Sequence, residues 1–437
     1  MSFRYFAYGS NLWPAQIRSR CPTAAVLGLA TMSGWSAVYD KPGADGTAKL
    51  NLREADGSDV HGVVYEIDDV ERSALDLAEP GYTPFVLDAT LASGEVVEAL
   101  TYRWEPEGTA GAPVDWYVAM VDAGAVYHGL DDAYIAQRLR VGVRPDTVAS
   151  GVVPASAEDL PAMQEVLSKC LSVDTPRYAV HPGDLAWWMW HDDPRHPDRL
   201  SYWMIPGVAV LVLDAVAGEI SAFAAPGHPV RPLIEWAQRR LGGTGEVGWV
   251  ADSDQDLVEY LREGGYEAVH TDRLYQWDLE VTEIPDIRLP SGWALRPIVG
   301  DDEANARRAA SHAAFGSTME PAMHLARYLR LMRSPVYERS RDLVAVSPAG
   351  RIASFMIWWA DDSGIAQIEP FGTDPEFHRS GLGRALIHYG LRRMLDSGMS
   401  LARVITDDFR SGATAFYEAV GFADAGRVRW WSKPPAG

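Results

Sequence analysis

The sequence predicts an α/β multidomain chain of three blocks, and three observations carry that expectation. The chain is 437 residues long, it is broken twice by segments rich in proline and glycine, and a run of helix, Gly-aromatic step and strand occurs twice in its second half. Domains of about 100–200 residues make roughly three the natural count for such a length. The first break passes through Pro145, Ser150, Gly151 and Pro154, the second through Pro285 and Pro290-Ser291-Gly292. Such clusters punctuate folded segments, so the expected domains are residues 1–145, 150–285 and 286–437.

Composition narrows the partners. Hydrophobic residues make 47% of the chain and charged residues 23%, the balance of a soluble globular protein. A formal net charge of −21 argues against a nucleic acid or an anionic membrane, because both repel an acidic surface. Small molecules bearing an amine suit it better. The only lysines are Lys41, Lys49, Lys169 and Lys433, so arginine carries most of the positive charge. Cys21 and Cys170 fall in different blocks without CxxC or metal-ligand spacing, from which neither a disulfide nor zinc is expected. The N-terminus lacks a basic stretch followed by an apolar one, and the apolar run at 208–213 stops at Asp214, which predicts a cytoplasmic protein.

In the first block, residues 4–8 have the aromatic composition of a strand, Gly9-Ser10-Asn11 reads as a tight turn, and Pro14 suits a first helical turn. The N–H groups of such a turn can converge into a nest for a carboxylate near a helix start, although Gly-Ser-Asn alone also reads as an ordinary capped turn. Further along come Asn51 in a strand-like segment, VHGVVY at 60–65, Leu75-Asp76-Leu77-Ala78-Glu79, Tyr82, Tyr117, Gly124-Ala125, Gly129-Leu130 and Tyr134-Ile135. With the opening YFAYGSNL at 5–12, this ordered set resembles the γ-glutamylcyclotransferase (AIG2-like) family over nearly the whole block. The resemblance implies a mixed β-barrel with helices. It also implies that Tyr8, Gly9, Ser10 and Asn11 cradle the α-carboxylate of a γ-glutamyl group, that Tyr82 lines the site, and that Glu79 is the acid/base. In that chemistry the substrate's own amine attacks its γ-amide carbonyl, closing 5-oxoproline and releasing an amine, and a positioned carboxylate moves the proton. Here Pro80-Gly81 leads directly to Tyr82, where the family usually has a longer stretch.

The remaining blocks begin and end alike. Val153-Pro154 with Glu158-Asp159 parallels Arg296-Pro297 with Asp301-Asp302, and the helix before Gly265-Tyr266 parallels the helix before Gly421-Phe422, which reads as an internal duplication. In the last block a hairpin over 343–346 and 352–359 is followed by a strand at 365–371 and by Pro375-Glu376-Phe377-His378-Arg379-Ser380-Gly381-Leu382-Gly383-Arg384, opening a helix. A glycine loop at a helix N-terminus offers N–H groups and a dipole to a pyrophosphate. With Phe416-Tyr417-Glu418-Ala419-Val420-Gly421-Phe422 downstream, residues 286–437 resemble the GCN5-related N-acetyltransferase (GNAT) superfamily.

That resemblance implies acetyl-CoA as co-substrate, held by His378, Arg379, Ser380, Gly381, Leu382, Gly383 and Arg384, with His378 standing in the superfamily's Arg/Gln position and Arg410 where Asn is common. Tyr417 occupies the place of a general acid for the leaving thiolate, and Glu369 is a candidate base for the acceptor amine. The middle block is expected to be a degenerate GNAT fold that binds no acetyl-CoA, because Pro226, Pro229 and Pro232 remove N–H donors where a pyrophosphate would need them. His181-Pro182-Gly183-Asp184 with Trp187, Trp188 and Trp190 reads either as core or as the lining of an acceptor pocket. His191 and His196 among Asp192, Asp193 and Asp198 read as loop residues, so no metal is expected. The leading expectation is a bifunctional enzyme acting on γ-glutamyl amines and small amines. Two others stay open: an acetyltransferase whose first block only recognises a γ-glutamyl or acidic ligand, and a non-catalytic acetyl-CoA sensor.

Overall fold

The structure is a computed structural model, and it describes residues 1–106, 110–171, 180–191, 198–243, 245–407 and 411–433. The chain divides into two compact units, one of residues 1–155, 198–205 and 212–217, the other of residues 156–197, 206–211 and 218–437.

In the first unit β1 (Ser2–Ala7), β2 (Ala25–Pro42), β3 (Ala48–Asp68), β4 (Thr83–Leu91) and β5 (Val96–Arg103) close into a barrel in the order β1-β3-β2-β4-β5. β1 meets β5 in parallel at Tyr5 and Leu100, and closure leaves the barrel no free edge. The long β2–β3 ladder shifts register between Val26 and Gly28, Ser33 and Trp35, and Tyr39 and Lys41; such bulges bend the strands enough to wrap them round. The helices are α1 (Pro14–Arg20), with Pro14 at its first position, α2 (Arg72–Ala78), α3 (Asp115–Tyr127) and the short α4 (Asp132–Tyr134). α3 lies directly on the turn at residues 9–13: a Cβ added to Gly124 would stand 2.5 Å from Leu12 C and from Trp13 N, so only glycine permits the approach. At the end of α3, His128 Nε2 lies 3.0 Å from the Leu12 carbonyl. β6 (Val153–Ala155) and β7 (Leu200–Ile205) add an antiparallel pair to this unit.

The second unit holds α5 (Leu160–Cys170), α6 (Pro182–Trp190), the beginning of β8 (Ala209–Asp214), β9 (Glu219–Ala224), α7 (Arg231–Arg240), β10 (Glu246–Ala251), α8 (Gln255–Glu263) and β11 (Glu267–Glu280). These are followed by β12 (Ala294–Pro297), α9 (Asp301–Phe315), α10 (Pro321–Leu331), β13 (Asp342–Val346), β14 (Ile352–Ala360), β15 (Ile365–Thr373), α11 (Leu382–Asp396), β16 (Leu401–Asp407), α12 (Ser411–Val420) and β17 (Ala423–Ser432). Along the chain, β6 through β11 and β12 through β17 follow one order: strand, two helices, three strands, helix, strand, helix, strand. The duplication faint in the sequence is thus explicit in the elements.

The strands of this unit stand in the order β12-β13-β14-β15-β16-β11-β17-β10-β9. The final strands are exchanged: β11, from the first repeat, pairs with β16 of the second, and β17, from the second, pairs with β10 of the first. Leu343, Met356, Trp358, Ile368, Leu386 and Val404 pack in the core on one face. On the other side a buried ion pair fastens α9 and α10 to β13. Arg307 Nε reaches Asp342 Oδ1 at 3.3 Å, and the hydroxyls of Tyr328 and Tyr337 donate to Asp342 Oδ2 at 2.6 and 2.9 Å. The guanidinium lies over the ring of Phe355, 3.9 Å from its centroid.

Candidate active sites

In the barrel, Glu79 caps the C-terminus of α2 and turns inward, its side chain 15% exposed. Its Oε1 accepts from Asn11 Nδ2 at 3.0 Å and from Arg20 NH1 at 2.8 Å, and Arg20 NH1 also donates to Asn11 Oδ1 at 2.8 Å. Asn11 comes from the turn after β1 and Arg20 from the end of α1, so strand, turn and helix converge on one carboxylate. Both contacts fall on Oε1, which leaves Oε2 for a proton. Burial raises the proton affinity of Glu79, against the pull of Arg20, Asn11 and Lys41.

Around this carboxylate stand the other expected residues. The Tyr8 hydroxyl donates to the Tyr102 carbonyl at 2.8 Å, and the Tyr82 hydroxyl to the Leu50 carbonyl at 2.6 Å. Ser10 hydrogen-bonds the buried Tyr117, whose hydroxyl is pushed up to about 12 mainly by burial. Gly9 and Ser10 begin the short 3-10 turn, with Leu12 N–H donating to Gly9 O at 2.9 Å. The abbreviated stretch after Glu79 is a tight turn: Gly81 takes φ +77° and Tyr82 N–H returns to Glu79 O at 3.2 Å. Arg20 and Lys41 escaped the sequence reading. Lys41 is 7% exposed, its Nζ lies 4.4 Å from the Tyr82 ring centroid, and burial lowers its proton affinity.

The second site follows from how β15 and β16 part. They pair in parallel from Ile365 with Leu401 to Ile368 with Val404 and then diverge, while β15 continues along β14 as far as Thr373 opposite Ser354. On β15, Glu369 and Pro370 form an irregularity in that ladder, between the Ile368–Trp358 and Phe371–Met356 pairs; such bulges re-aim side chains beside sites. Into the gap opens a cleft of 1090 Å³, lined by Ile368 through Thr373, residues 404–406, the loop at 377–384, Phe416 and Tyr417 of α12, and Trp249 and Trp430.

The loop closing the cleft has the form a pyrophosphate needs. Gly381 caps α11 at φ +85°, a left-handed conformation that glycine adopts freely, and no side chain caps the helix start. The first N–H groups of α11 therefore have no intrahelical acceptor, and Arg379 and Arg384 add charge beside them. Arg379 is itself held at φ +59°, a cost that the surrounding loop must offset. His378 bends back, its Nε2 3.0 Å from the Thr373 carbonyl, and so ties the loop to the end of β15. Tyr417 is buried in the cleft wall near Phe371, Phe416 and Phe422. Trp249, at φ +58°, packs at a tilt against both Trp188 of α6 and Trp430, with centroids 5.3 and 5.4 Å away. The tryptophans of α6 are half-buried rather than core, and Trp249 and Trp430 carried no signal in the sequence.

Arg410, Asp192, Asp193 and His196 lie outside the described residues. His191 meets Arg327, with NH2 to Nδ1 at 3.3 Å. Among the described residues no group of three or more His, Cys, Asp or Glu could hold a metal ion, and no helix is long and apolar enough to cross a membrane.

Two parts of the chain match known families. Residues 5–118 match the family described as gamma-glutamyl cyclotransferase, AIG2-like, and residues 320–422 match the acetyltransferase (GNAT) family. Mycothiol acetyltransferase of Nocardiopsis dassonvillei is 29% identical over 273 residues, 53% of this chain and 81% of that protein. The same-named protein of Pseudarthrobacter chlorophenolicus is 26% identical over 210 residues, 45% of this chain and 62% of that protein. Among solved structures, a gamma-glutamyl cyclotransferase aligns at 23% identity and a TM-score of 0.32, covering 34% of this chain and 92% of its own. A tandem GNAT protein from the clavulanic acid biosynthesis pathway aligns at 17% identity and a TM-score of 0.47, covering 65% of this chain and 99% of its own. The chain thus joins a domain matched by the AIG2-like gamma-glutamyl cyclotransferase family model to one matched by the acetyltransferase (GNAT) family model.

Proposed function

We propose that this fusion is a bifunctional enzyme: the barrel releases an amine from γ-glutamyl amines as 5-oxoproline forms, and the second unit acetylates a small amine from acetyl-CoA. The observation that carries acetyl transfer is the parting of β15 and β16 at a cleft closed by the left-handed loop before α11. The N–H groups at the start of α11, with Arg379 and Arg384, are suited to the pyrophosphate of acetyl-CoA, and the gap between the strands to its pantetheine arm. Acetyl-CoA supplies the activated acyl group. The chain's own residues would then orient the acceptor, with Glu369 receiving a proton from its nitrogen and Tyr417 giving one to the departing thiolate.

For the barrel, support comes from the buried Glu79 held through one oxygen by Asn11 and Arg20. Its free oxygen would take the proton of the attacking α-amine and return it to the leaving nitrogen, a shuttle that needs no other group. The middle residues, 150–285, are proposed as the degenerate repeat, completing the sheet without a pyrophosphate loop of their own. The relatives' name makes the deacetylated precursor of mycothiol the first acceptor to try. Incubation of the full chain with acetyl-CoA and a panel of amines, followed by mass spectrometry, tests acetyl transfer, and the absence of any acetylated product overturns it.

A further inference from the structure

Helix α6 belongs to the first repeat, yet its N-terminus is fastened to the strand that leads into the acetyl-CoA loop. His181 Nε2 lies 3.0 Å from the Ile365 carbonyl and 3.6 Å from Asp361 Oδ1. A Cβ added to Gly183 would stand 2.4 Å from the Trp359 ring, so the helix reaches β14 only through glycine. The next residue, Asp184, is 1% exposed. Its Oδ2 accepts from the His181 N–H at 2.7 Å and its Oδ1 from Gln367 Nε2 at 2.6 Å, and the same Nε2 reaches Glu369 Oε2 at 3.2 Å. Gln367 thereby joins the two carboxyl groups with one amide, while its own Oε1 stays buried with no partner among the described residues.

Two carboxyl groups that share one amide donor at 2.6 and 3.2 Å, one of them buried and the other partly so, disfavour each other's ionisation. We propose that Asp184 is a positioning residue of the acetyl-acceptor site, keeping a proton that it donates to Glu369 and so holding the Glu369 carboxylate toward the cleft. This rests on reading the cleft as the site of acetyl transfer. The carboxylate then takes one proton from the acceptor nitrogen as that nitrogen bonds to the thioester carbonyl carbon. The C–S bond breaks and the thiolate takes its proton from the Tyr417 hydroxyl. The direction of Asp184's ionisation agrees: burial and the charge of Glu369 hold its proton well above the usual carboxylate range, against the pull of Arg403. The groups facing the pair are Gln367 on β15, His181 at the head of α6, Asp361 after β14, and Arg403 on β16, whose guanidinium is already paired with Asp278 of β11 at 3.0 Å. The first repeat, on this reading, supplies part of the chemistry of the second.

The experiment compares the full chain with Asp184→Asn and Asp184→Ala at pH 8, by infrared difference spectroscopy in the carboxyl region and by acetyl-transfer kinetics across pH. Expected is the C=O band of a neutral carboxylic acid in the wild type that Asp184→Asn lacks. Asp184→Ala is expected to lose roughly 10- to 100-fold in kcat with KM for acetyl-CoA unchanged, and to show its acid limb at higher pH. Asp184→Asn, whose amide still donates to Glu369, keeps the limb in place. A band that is absent from the wild type or persists in Asp184→Asn overturns the proposal, as does an alanine variant with wild-type kcat and pH profile. If Asp184→Ala does not fold, the band decides. If the wild type acetylates no amine, the reading of the cleft fails, and the band still decides whether the acid pair exists.

Discussion

Replacing Glu79 with Gln changes one atom at the centre of the barrel site and leaves its shape. The amide oxygen can still accept from Asn11 and Arg20, as Oε1 does at 3.0 and 2.8 Å, so α2, the turn at residues 9–13 and α1 stay linked. What is lost is the oxygen that carries the proton in the proposed reaction. General acid–base groups contribute roughly 10²–10⁴-fold, about 2.7–5.5 kcal/mol of barrier at 1.36 kcal/mol per decade. The upper part of that range is expected, because the burial that raises the proton affinity of Glu79 brings it toward the operating pH, where a shuttle works best. The assay is release of 5-oxoproline from a panel of γ-glutamyl amines, quantified by mass spectrometry, with thermal melting to confirm the fold. A companion variant tests the electrostatics. Arg20→Met removes the cation that favours ionised Glu79, so the carboxylate holds its proton to higher pH and the acid limb of kcat/KM moves upward. Turnover of Glu79→Gln within tenfold of the wild type, or an acid limb in Arg20→Met that stays put or moves down, refutes the reasoning.

Other perturbations bear on the second unit. Gly381→Val forces a β-branched residue to φ +85°, a strain of about 1–2 kcal/mol; acetyl-CoA affinity measured by calorimetry should weaken roughly tenfold while the barrel's turnover is unchanged. Asp342→Ala strands the buried Arg307 and two tyrosine hydroxyls, and a loss of about 3–5 kcal/mol is expected in urea unfolding. For Asp361, burial pushes the carboxyl up but bonds from His181, Ser168 and Ser363 outweigh it and hold it at about 2. An acid held below its unfolded value stabilises the fold above that value and loses the contribution as pH falls through about 2. Asp361→Asn should therefore cost about 2 kcal/mol at pH 7, and its unfolding curve should approach that of the wild type as pH falls toward the folded value.

What the sequence made legible was local. The strand, turn and helix of YFAYGSNL-x-P appear as β1, a 3-10 turn and α1 with Pro14 at its first position, because each depends on neighbours in the chain. The glycine loop before α11 and the FYEAVGF helix were legible for the same reason, and both family resemblances rest on such segments. Contacts made across the fold were not legible. Arg20 meets Glu79 across a separation of 59 positions and Asp184 meets Gln367 across 183, and no periodicity encodes either. Trp249 reads as any strand residue until its positive φ and its tilted contacts with Trp188 and Trp430 are seen. The parting of β15 from β16 is a property of a ladder, written in neither strand alone.

The exchange of β11 and β17 has a consequence for descent. Between β16 and β17 lies a strand contributed by the other repeat, so a gene cut at residue 285 would yield two products, each missing the backbone partner that its own last strands require. Neither half could be inherited, shuffled or lost by itself without exposing a raw sheet edge to aggregation. Mixed together, the two fragments should instead find each other and rebuild one sheet. With the ends crossed in this way, the two repeats are expected to fold and to be retained only as a couple.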